Sequence, residues 1–381
     1  MKFRTIANAR VLSFGDDSIL RTIHINTEGR IQAVEVYQET DILGEGAFDA
    51  EGQIVLPGFI DVQVNGGGGV LFNDHPTVDG IVAIGAAHRQ FGTTGYLPTL
   101  ISDDPQKMRA AIKAVDSAIE AGIPGVLGIH LEGPYLNATK RGVHDSEKFS
   151  RIGPDEIALL CSLKHGKTLV TLAPELTTPD VIRTLTNRGV IVSAGHTLGT
   201  YDDGMSAIEA GLRGFTHLFN AMTPLASREP GIAAAAINDK RAWCGVIADG
   251  HHVHPAMLQM AFRAKAGRNI FLVTDAMPSV GAAHKDFSLD GQPITVTDGR
   301  CLTREGTLAG SDLDMMCAVR NAQAFFDISF SQAAELASIV PAQFLGLDNN
   351  YGSISVGQWA NINLIDDNMS VTKSWIKGVT G

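Results

Sequence analysis

Three patterns of apolar and polar positions follow one another along this chain. Over residues 1–55 apolar and polar positions alternate in short runs. Arg21-Thr-Ile-His-Ile-Asn26 and Arg30-Ile-Gln-Ala-Val-Glu-Val36 are two of them, with Thr27-Glu-Gly-Arg30 reading as the turn of a hairpin between. The next pattern is a strand–turn–helix rhythm. Eight apolar runs, Gly58–Val64, Gly95–Thr99, Gly125–Leu131, Thr168–Ala173, Val190–Ala194, Gly214–Thr216, Cys244–Ala248 and Ile270–Thr274, predict strands. Helical stretches fall between most of them, such as Pro105–Ala121, Pro179–Arg188 and Pro255–Ala264, with proline at the first turn, where a helix tolerates it. Eight such units in about 280 residues predict a (β/α)8 barrel. The loop after the first strand, Asn65-Gly-Gly-Gly-Gly69, opens no G-x-G-x-x-G helix start, which argues against a doubly wound sheet.

The rhythm breaks at residues 285–309, where Asp290-Gly-Gln292 and Thr297-Asp-Gly-Arg300 read as turns of a β excursion over the barrel mouth. Two helices, about 311–326 and 331–345, are expected to close the barrel. Period-2 alternation then returns in Gly352–Val356, Ala360–Ile365 and Val371–Lys377. The expected fold is α/β: a TIM-like barrel over 56–348, with a small β-sandwich domain assembled from 1–55 and 349–381.

Composition narrows the function classes. The 381 residues, 44% hydrophobic and 19% charged, are an ordinary globular mix, long enough for a barrel and a smaller domain. A formal net charge of −11 argues against non-specific binding to nucleic acid or anionic membranes. Cysteines at 161, 244, 301 and 317 form no close pair, which fits reduced thiols better than a disulfide framework. The first ten residues lack the apolar core of a signal peptide, and no run of about 18 apolar residues exists. A cytoplasmic enzyme with no membrane or nucleic-acid partner is expected.

Residues just past the C-terminal ends of barrel strands converge on one mouth. That rule picks Gln63 and Asn65 after strand one, Glu132 after three, His196 after five, His217 after six and Asp275 after eight. Glu132 ends an apolar run at Gly133-Pro134, and each histidine ends another. One carboxylate and two imidazoles are a standard oxygen–nitrogen set for a divalent ion with positions left open for water. Asp275 suits a general base and acid, the alternative being a turn cap. His144, in Arg141-Gly-Val-His-Asp145, suits a group that polarises a carbonyl, or else is an exposed loop histidine. Arg228 and His252 lie on mouth-side loops and suit an anionic group such as phosphate. Arg228 would otherwise pair with Glu229 or another loop carboxylate, and His251 and His254 compete with His252.

Taken together, Pro57-Gly-Phe-Ile-Asp-Val-Gln-Val-Asn-Gly66, His130-Leu-Glu-Gly-Pro134, Ser193-Ala-Gly-His196, Thr216-His-Leu-Phe-Asn-Ala-Met222, Arg228-Glu-Pro-Gly231, Asp249-Gly-His-His252, Val273-Thr-Asp275 and Leu308-Ala-Gly-Ser311 resemble the N-acetylglucosamine-6-phosphate deacetylases of the amidohydrolase superfamily. The resemblance runs through nearly the whole chain. It implies a barrel with a small β-sandwich, a metal on Glu132, His196 and His217, and Asp275 as acid and base. It further implies His144 at the acetyl carbonyl, Asn220 and Ala221 against the sugar, and Arg228 and His252 on the 6-phosphate, one of them reaching in from the neighbouring subunit of a homodimer. Gln63, Tyr135 and Ser311 join the substrate-contacting candidates. The H-x-H common in the superfamily is replaced by Gln63-Val64-Asn65, so one divalent ion per subunit is expected, zinc first, with iron or another divalent ion sharing the ligand set.

The implied reaction is hydrolysis of the acetamide of N-acetyl-D-glucosamine 6-phosphate in amino-sugar catabolism. The nearest rival is the same chemistry on the galacto epimer, or on both. A hydrolase of a cyclic amide or acylated amino acid is disfavoured by Arg228 and His252. A catalytically silent barrel is disfavoured because no ligand and no base is missing.

Overall fold

In the computed structural model, which describes residues 4–12, 18–43 and 46–380, all eight expected strands form and pair in sequence order. They are β1 (Phe59–Val64), β2 (Thr93–Ile101), β3 (Gly128–Glu132), β4 (Lys167–Leu172), β5 (Ile191–Ala194), β6 (Gly214–Phe215), β7 (Trp243–Val246) and β8 (Ile270–Leu272). Neighbours are parallel throughout. Each connection carries a helix: α1 (Val78–Arg89), α2 (Pro105–Glu120), α3 (Pro154–Leu160), α4 (Pro179–Asn187), α5 (Tyr201–Glu209), α6 (Gly231–Asn238) and α7 (Pro255–Ala264). Local chemistry explains their starts: Thr77, Asp104, Thr178 and Thr200 accept hydrogen bonds from first-turn N–H groups. The strands are buried on both faces, as parallel strands under a ring of helices must be, and read as apolar runs.

The terminal segments join in a second eight-stranded sheet. Ile54–Pro57 pairs with Thr5–Val11 on one side and with Ile362–Ile365 on the other, so both chain ends share one sheet. Its core is separate, built on Ile6, Ile23, Val55, Ile362 and Trp375. The expected hairpin forms between Leu20–Ile25 and Ile31–Val36, its turn held by Asn26 Oδ1 accepting from Glu28 N and Arg30 N. Gly352–Val356 is not a strand. Ile354 is its one buried apolar side chain, and Ser353 N donates to the Gln358 side chain (3.0 Å) instead of to a neighbouring strand.

The excursion forms four antiparallel strands between Phe287 and Ser311, with a small core of Leu289, Ile294, Cys301 and Ala309 against Leu71, Ile101 and Met277. Ser311 is therefore in a strand, and the next helix, α8 (Met315–Phe326), starts at the Asp314 cap rather than at 311. The expected helix over 331–345 is two, α9 (Phe330–Glu335) and α10 (Ile339–Leu345). Pro341 has no N–H, so a continuous helix would leave the Ala337 carbonyl without its partner four residues on.

The break serves barrel closure. β8 and β1 share no continuous ladder. At the bottom of this seam Leu272 N donates to Leu336 O (2.9 Å) and Ile60 N to Ala337 O (2.7 Å). In the middle the buried carboxylate of Asp61 accepts from Gln63 N, Thr274 N and Thr274 Oγ1. At the top Asp275 N donates to Gln63 O (3.0 Å) and Asn65 N to Ala276 O (2.9 Å). Burial pushes the Asp61 carboxyl up to about 7, with the hydrogen bonds from Thr274 and Gln63 pulling it part of the way back. Replacing Asp61 with Ala strands these buried donors and is expected to cost about 2–4 kcal/mol, read as a lower urea midpoint, with Asp61→Asn the milder variant because it keeps an acceptor oxygen.

Candidate active site

Glu132 ends β3, His196 and His217 each follow their strand by two residues, and Asp275 stands three past β8. His196, His217 and Asp275 all take left-handed backbone, with φ of +49°, +34° and +54°. A left-handed residue directly after an extended strand bends the chain over the mouth, at a cost of about 1–2 kcal/mol for a non-glycine residue. All four side chains are buried, Asp275 the most open at 9% exposure.

Glu132 Oε1 lies 3.2 Å from His196 Nε2 and 3.1 Å from His217 Nε2, and the two imidazole nitrogens are 3.1 Å apart. A tetrahedral ion with bonds of about 2.0 Å holds its donors about 3.3 Å apart, so this triangle fits one without rearrangement. His196 Nδ1 is 2.8 Å from the Lys140 carbonyl, which only accepts; in the neutral ring the proton is on Nδ1 and Nε2 offers a lone pair. The electrostatics agree. Burial alone would raise Glu132, but hydrogen bonds from His196 and His217 hold it well below the usual carboxylate range. Burial opposes charge on His217, yet Glu132 and Asp275 raise it. The cluster favours added positive charge.

Gln63 and Asn65 act as donors. Gln63 Nε2 reaches Glu132 Oε1 (3.2 Å) and Asp275 Oδ1 (3.1 Å), and Asn65 Nδ2 reaches Asp275 Oδ1 (2.6 Å). Burial and the Glu132 charge push Asp275 up to about 6, while His217, His252 and the Asn65 hydrogen bond draw it back. A carboxylate so placed takes or gives a proton near neutrality.

A cavity of about 190 Å³ opens above these groups, lined by Asn65, Glu132, His144, His196, His217, Asn220, Ala221, His252 and Asp275, with Thr307, Leu308 and Gly310 of the excursion at its rim. His144 is buried at 4% exposure, not an exposed loop histidine, with its ring 4.5 Å from that of His196. Burial, then the neighbouring His196, depress it to about 3, so it is neutral. His252 Nδ1 sits 2.6 Å from Asp249 Oδ2, which orients the ring. Four expected contacts are elsewhere. Gln63 is not on the cavity lining, its amide being taken up by Glu132 and Asp275. Tyr135 is packed in the barrel core; Ser311 donates to the Thr274 carbonyl (2.6 Å) and is not on the cavity lining; Arg228 is exposed outside it. A larger cavity of about 490 Å³, between α1 and Val371–Ile376, carries no such donor set.

Sequence reasoning passed over Ser102, which binds His144, because the expected second strand stopped at Thr99; ending it at Ile101 puts Ser102 on the mouth. It also passed over Asp249, whose signal was its place three residues before His252.

Fold and site together define a metal-dependent hydrolase on a TIM-like barrel, and the sequence profile of the Amidohydrolase family matches residues 54–381: the chain belongs to the amidohydrolase family. More particularly, it is similar to the N-acetylgalactosamine-6-phosphate deacetylase of Shewanella sp. (strain ANA-3), 44% identical over 85% of this chain and 82% of that one. The N-acetylglucosamine-6-phosphate deacetylase of Haemophilus influenzae is 31% identical over 94% of this chain and 95% of its own. The crystal structure of N-acetylglucosamine-6-phosphate deacetylase from Pasteurella multocida superposes with a TM-score of 0.93 at 32% identity, covering all of both chains. No helix among the described residues is long and apolar enough to cross a membrane.

Two outcomes are expected. His196→Ala or Glu132→Gln lowers bound divalent metal to a small fraction of the wild-type content, measured by elemental analysis after gel filtration. The acid limb of kcat/KM has its midpoint at or below about pH 6, because a cation at the donor triangle draws Asp275 lower still, and Asn65→Ala moves that limb to higher pH by removing a hydrogen bond to the carboxylate.

Proposed function

We propose that this chain hydrolyses the acetamide of N-acetyl-D-glucosamine 6-phosphate to D-glucosamine 6-phosphate and acetate. One observation carries the reading: a single cavity gathers the Glu132–His196–His217 donor set, the buried Asp275 carboxylate, and the imidazoles of His144 and His252. The names of the Haemophilus and Pasteurella relatives supply the substrate class.

Glu132, His196 and His217 would hold one divalent ion per subunit, zinc in the first instance, which would supply Lewis acidity to the acetyl carbonyl and the attacking water. Asp275 accepts the proton of that water as its oxygen adds to the carbonyl carbon. His144 donates to the carbonyl oxygen as negative charge develops there. Asp275 then passes its proton to the amine nitrogen as the carbon–nitrogen bond breaks. Gln63 and Asn65 hold Asp275 in place through their amide groups. Asn220 and Ala221 lie against the sugar, and His252, oriented by Asp249, takes the 6-phosphate. Arg228 stands on the exposed 224–230 loop, outside its own cavity, which suits a residue offered to the neighbouring subunit of a homodimer.

A second reading, the same reaction on N-acetylgalactosamine 6-phosphate, is favoured by the Shewanella relative at 44% identity. The two substrates differ only in configuration at the 4-hydroxyl.

Acetate release from both phosphorylated sugars and from their unphosphorylated forms decides between them. Turnover of the glucosamine substrate, slower by roughly 100-fold without the phosphate, is expected. Faster turnover of the galacto epimer would establish the second reading, and equal turnover without phosphate would remove the roles of Arg228 and His252. Asp275→Asn is expected to abolish acetate release while keeping its metal.

A further inference from the structure

We propose that Ser102 is a positioning residue for this reaction: its hydroxyl, with its backbone N–H, holds His144 Nδ1 as an acceptor, so that the ring is fixed with its proton on Nε2, the nitrogen offered to the substrate carbonyl, and the hydroxyl is the part needed for full turnover. The inference rests on the deacetylase reading and extends it to a residue outside the cavity lining.

Ser102 follows β2 directly and is buried at 3% exposure. Its backbone N lies 3.3 Å from His144 Nδ1, and its Oγ lies 2.8 Å from the same nitrogen. A backbone N–H can only donate, so Nδ1 is the acceptor and carries no proton. The same contact excludes an imidazolium, in which both ring nitrogens would be donors. The neutral ring must then hold its proton on Nε2. That nitrogen has no hydrogen-bond partner among the described residues, and the side chain lines the cavity beside Glu132 and Asp275. A histidine with the opposite tautomer would present a lone pair to the oxygen, and repel it as charge develops.

The surroundings are built for this contact. Gly133, in the segment that supplies Glu132, has φ +89°, and a Cβ there would lie 2.3 Å from Ser102 Oγ. Any other residue at 133 would displace the hydroxyl. Beside Ser102, the buried Asp103 carboxylate takes Lys148 (3.0 Å), Lys107 (2.8 Å) and Asn73 Nδ2 (3.0 Å). Lys148 stands four residues beyond His144, so consecutive residues of one strand end hold the His144 loop at two points, one at the imidazole ring and one at the Lys148 ammonium.

The test pairs spectroscopy with a mutant cycle. In the zinc-loaded wild type, ¹⁵N-histidine NMR is expected to show His144 with a bare Nδ1 and a protonated Nε2; a protonated Nδ1 would overturn the proposal without any variant. Ser102→Ala keeps the backbone N–H and removes the shorter, 2.8 Å contact from the hydroxyl; it is expected to lower kcat about tenfold with KM changed less than about twofold, since the ring's orientation matters most as charge develops. In a His144→Ala background the same substitution should change nothing further. Wild-type kcat in Ser102→Ala, alongside a slow His144→Ala, would overturn the positioning role and leave the deacetylase reading standing. An equal loss in both backgrounds would also overturn it, because Ser102 would then act through the fold at large. A fully active His144→Ala would instead remove the role given to His144, and with it this proposal. Metal content and thermal midpoint, measured on each variant, separate these outcomes from simple unfolding.

Discussion

A carboxylate with two imidazole nitrogens about one of its oxygens, all three out of water, is a concentration of lone pairs that needs positive charge at its centre. Glu132, His196 and His217 are held in that arrangement by three different strands, and the hydrogen bond from His196 Nδ1 to Lys140 keeps one lone pair aimed inward. Everything nearby answers the same electrostatic demand. Gln63 directs one amide hydrogen to Glu132 and one to Asp275, keeping two buried carboxylates apart yet both satisfied. An imidazole at 63 would offer at most two donors in a different plane and would compete for the cation.

The Asp275 carboxylate depends on a different constraint. Asp275 follows a strand whose pairing with β1 is not a regular ladder, so its position against Gln63 is set by contacts at the seam. Asp61 is the middle of that clamp, and Thr274, which it binds, is the residue before Asp275. Irregular closure has a use here. A continuous ladder would fix Asp275 by backbone register alone, whereas at the seam Asp61, Gln63 and Asn65 hold it from the side, with Gly310 passing close to its carbonyl.

Much of this was legible in the sequence because barrel strands are short apolar runs and their ends are punctuated. Glu132 before Gly133-Pro134, and His196 and His217 at the ends of apolar runs, could be read directly. What was not legible depends on long-range geometry. Nothing local distinguishes Tyr135, buried in the core, from a residue on the cavity, and Ser311 looks equally polar whether it faces a sugar or the Thr274 carbonyl. The alternation of Gly352–Val356 mimicked a strand, but the Gln358 side chain took the N–H that a neighbouring strand would need. Pro341 was visible, though its meaning was not, since the Ala337 carbonyl it frees finds its donor at Ile60, on the far side of the sequence.

That carbonyl carries a consequence for how the chain comes to be folded. The first barrel strand is made before the other seven, but the Ala337 carbonyl that takes its bottom-edge N–H is made only after all eight strands, and Ile362–Ile365, which pairs with Ile54–Pro57, later still. Until then a growing chain holds a curled, open sheet with a raw edge at β1, the kind of surface that chaperones shield and that neighbouring chains can pair with. Barrel closure is therefore a late, non-local event, in which a proline near the C-terminal end supplies the latch.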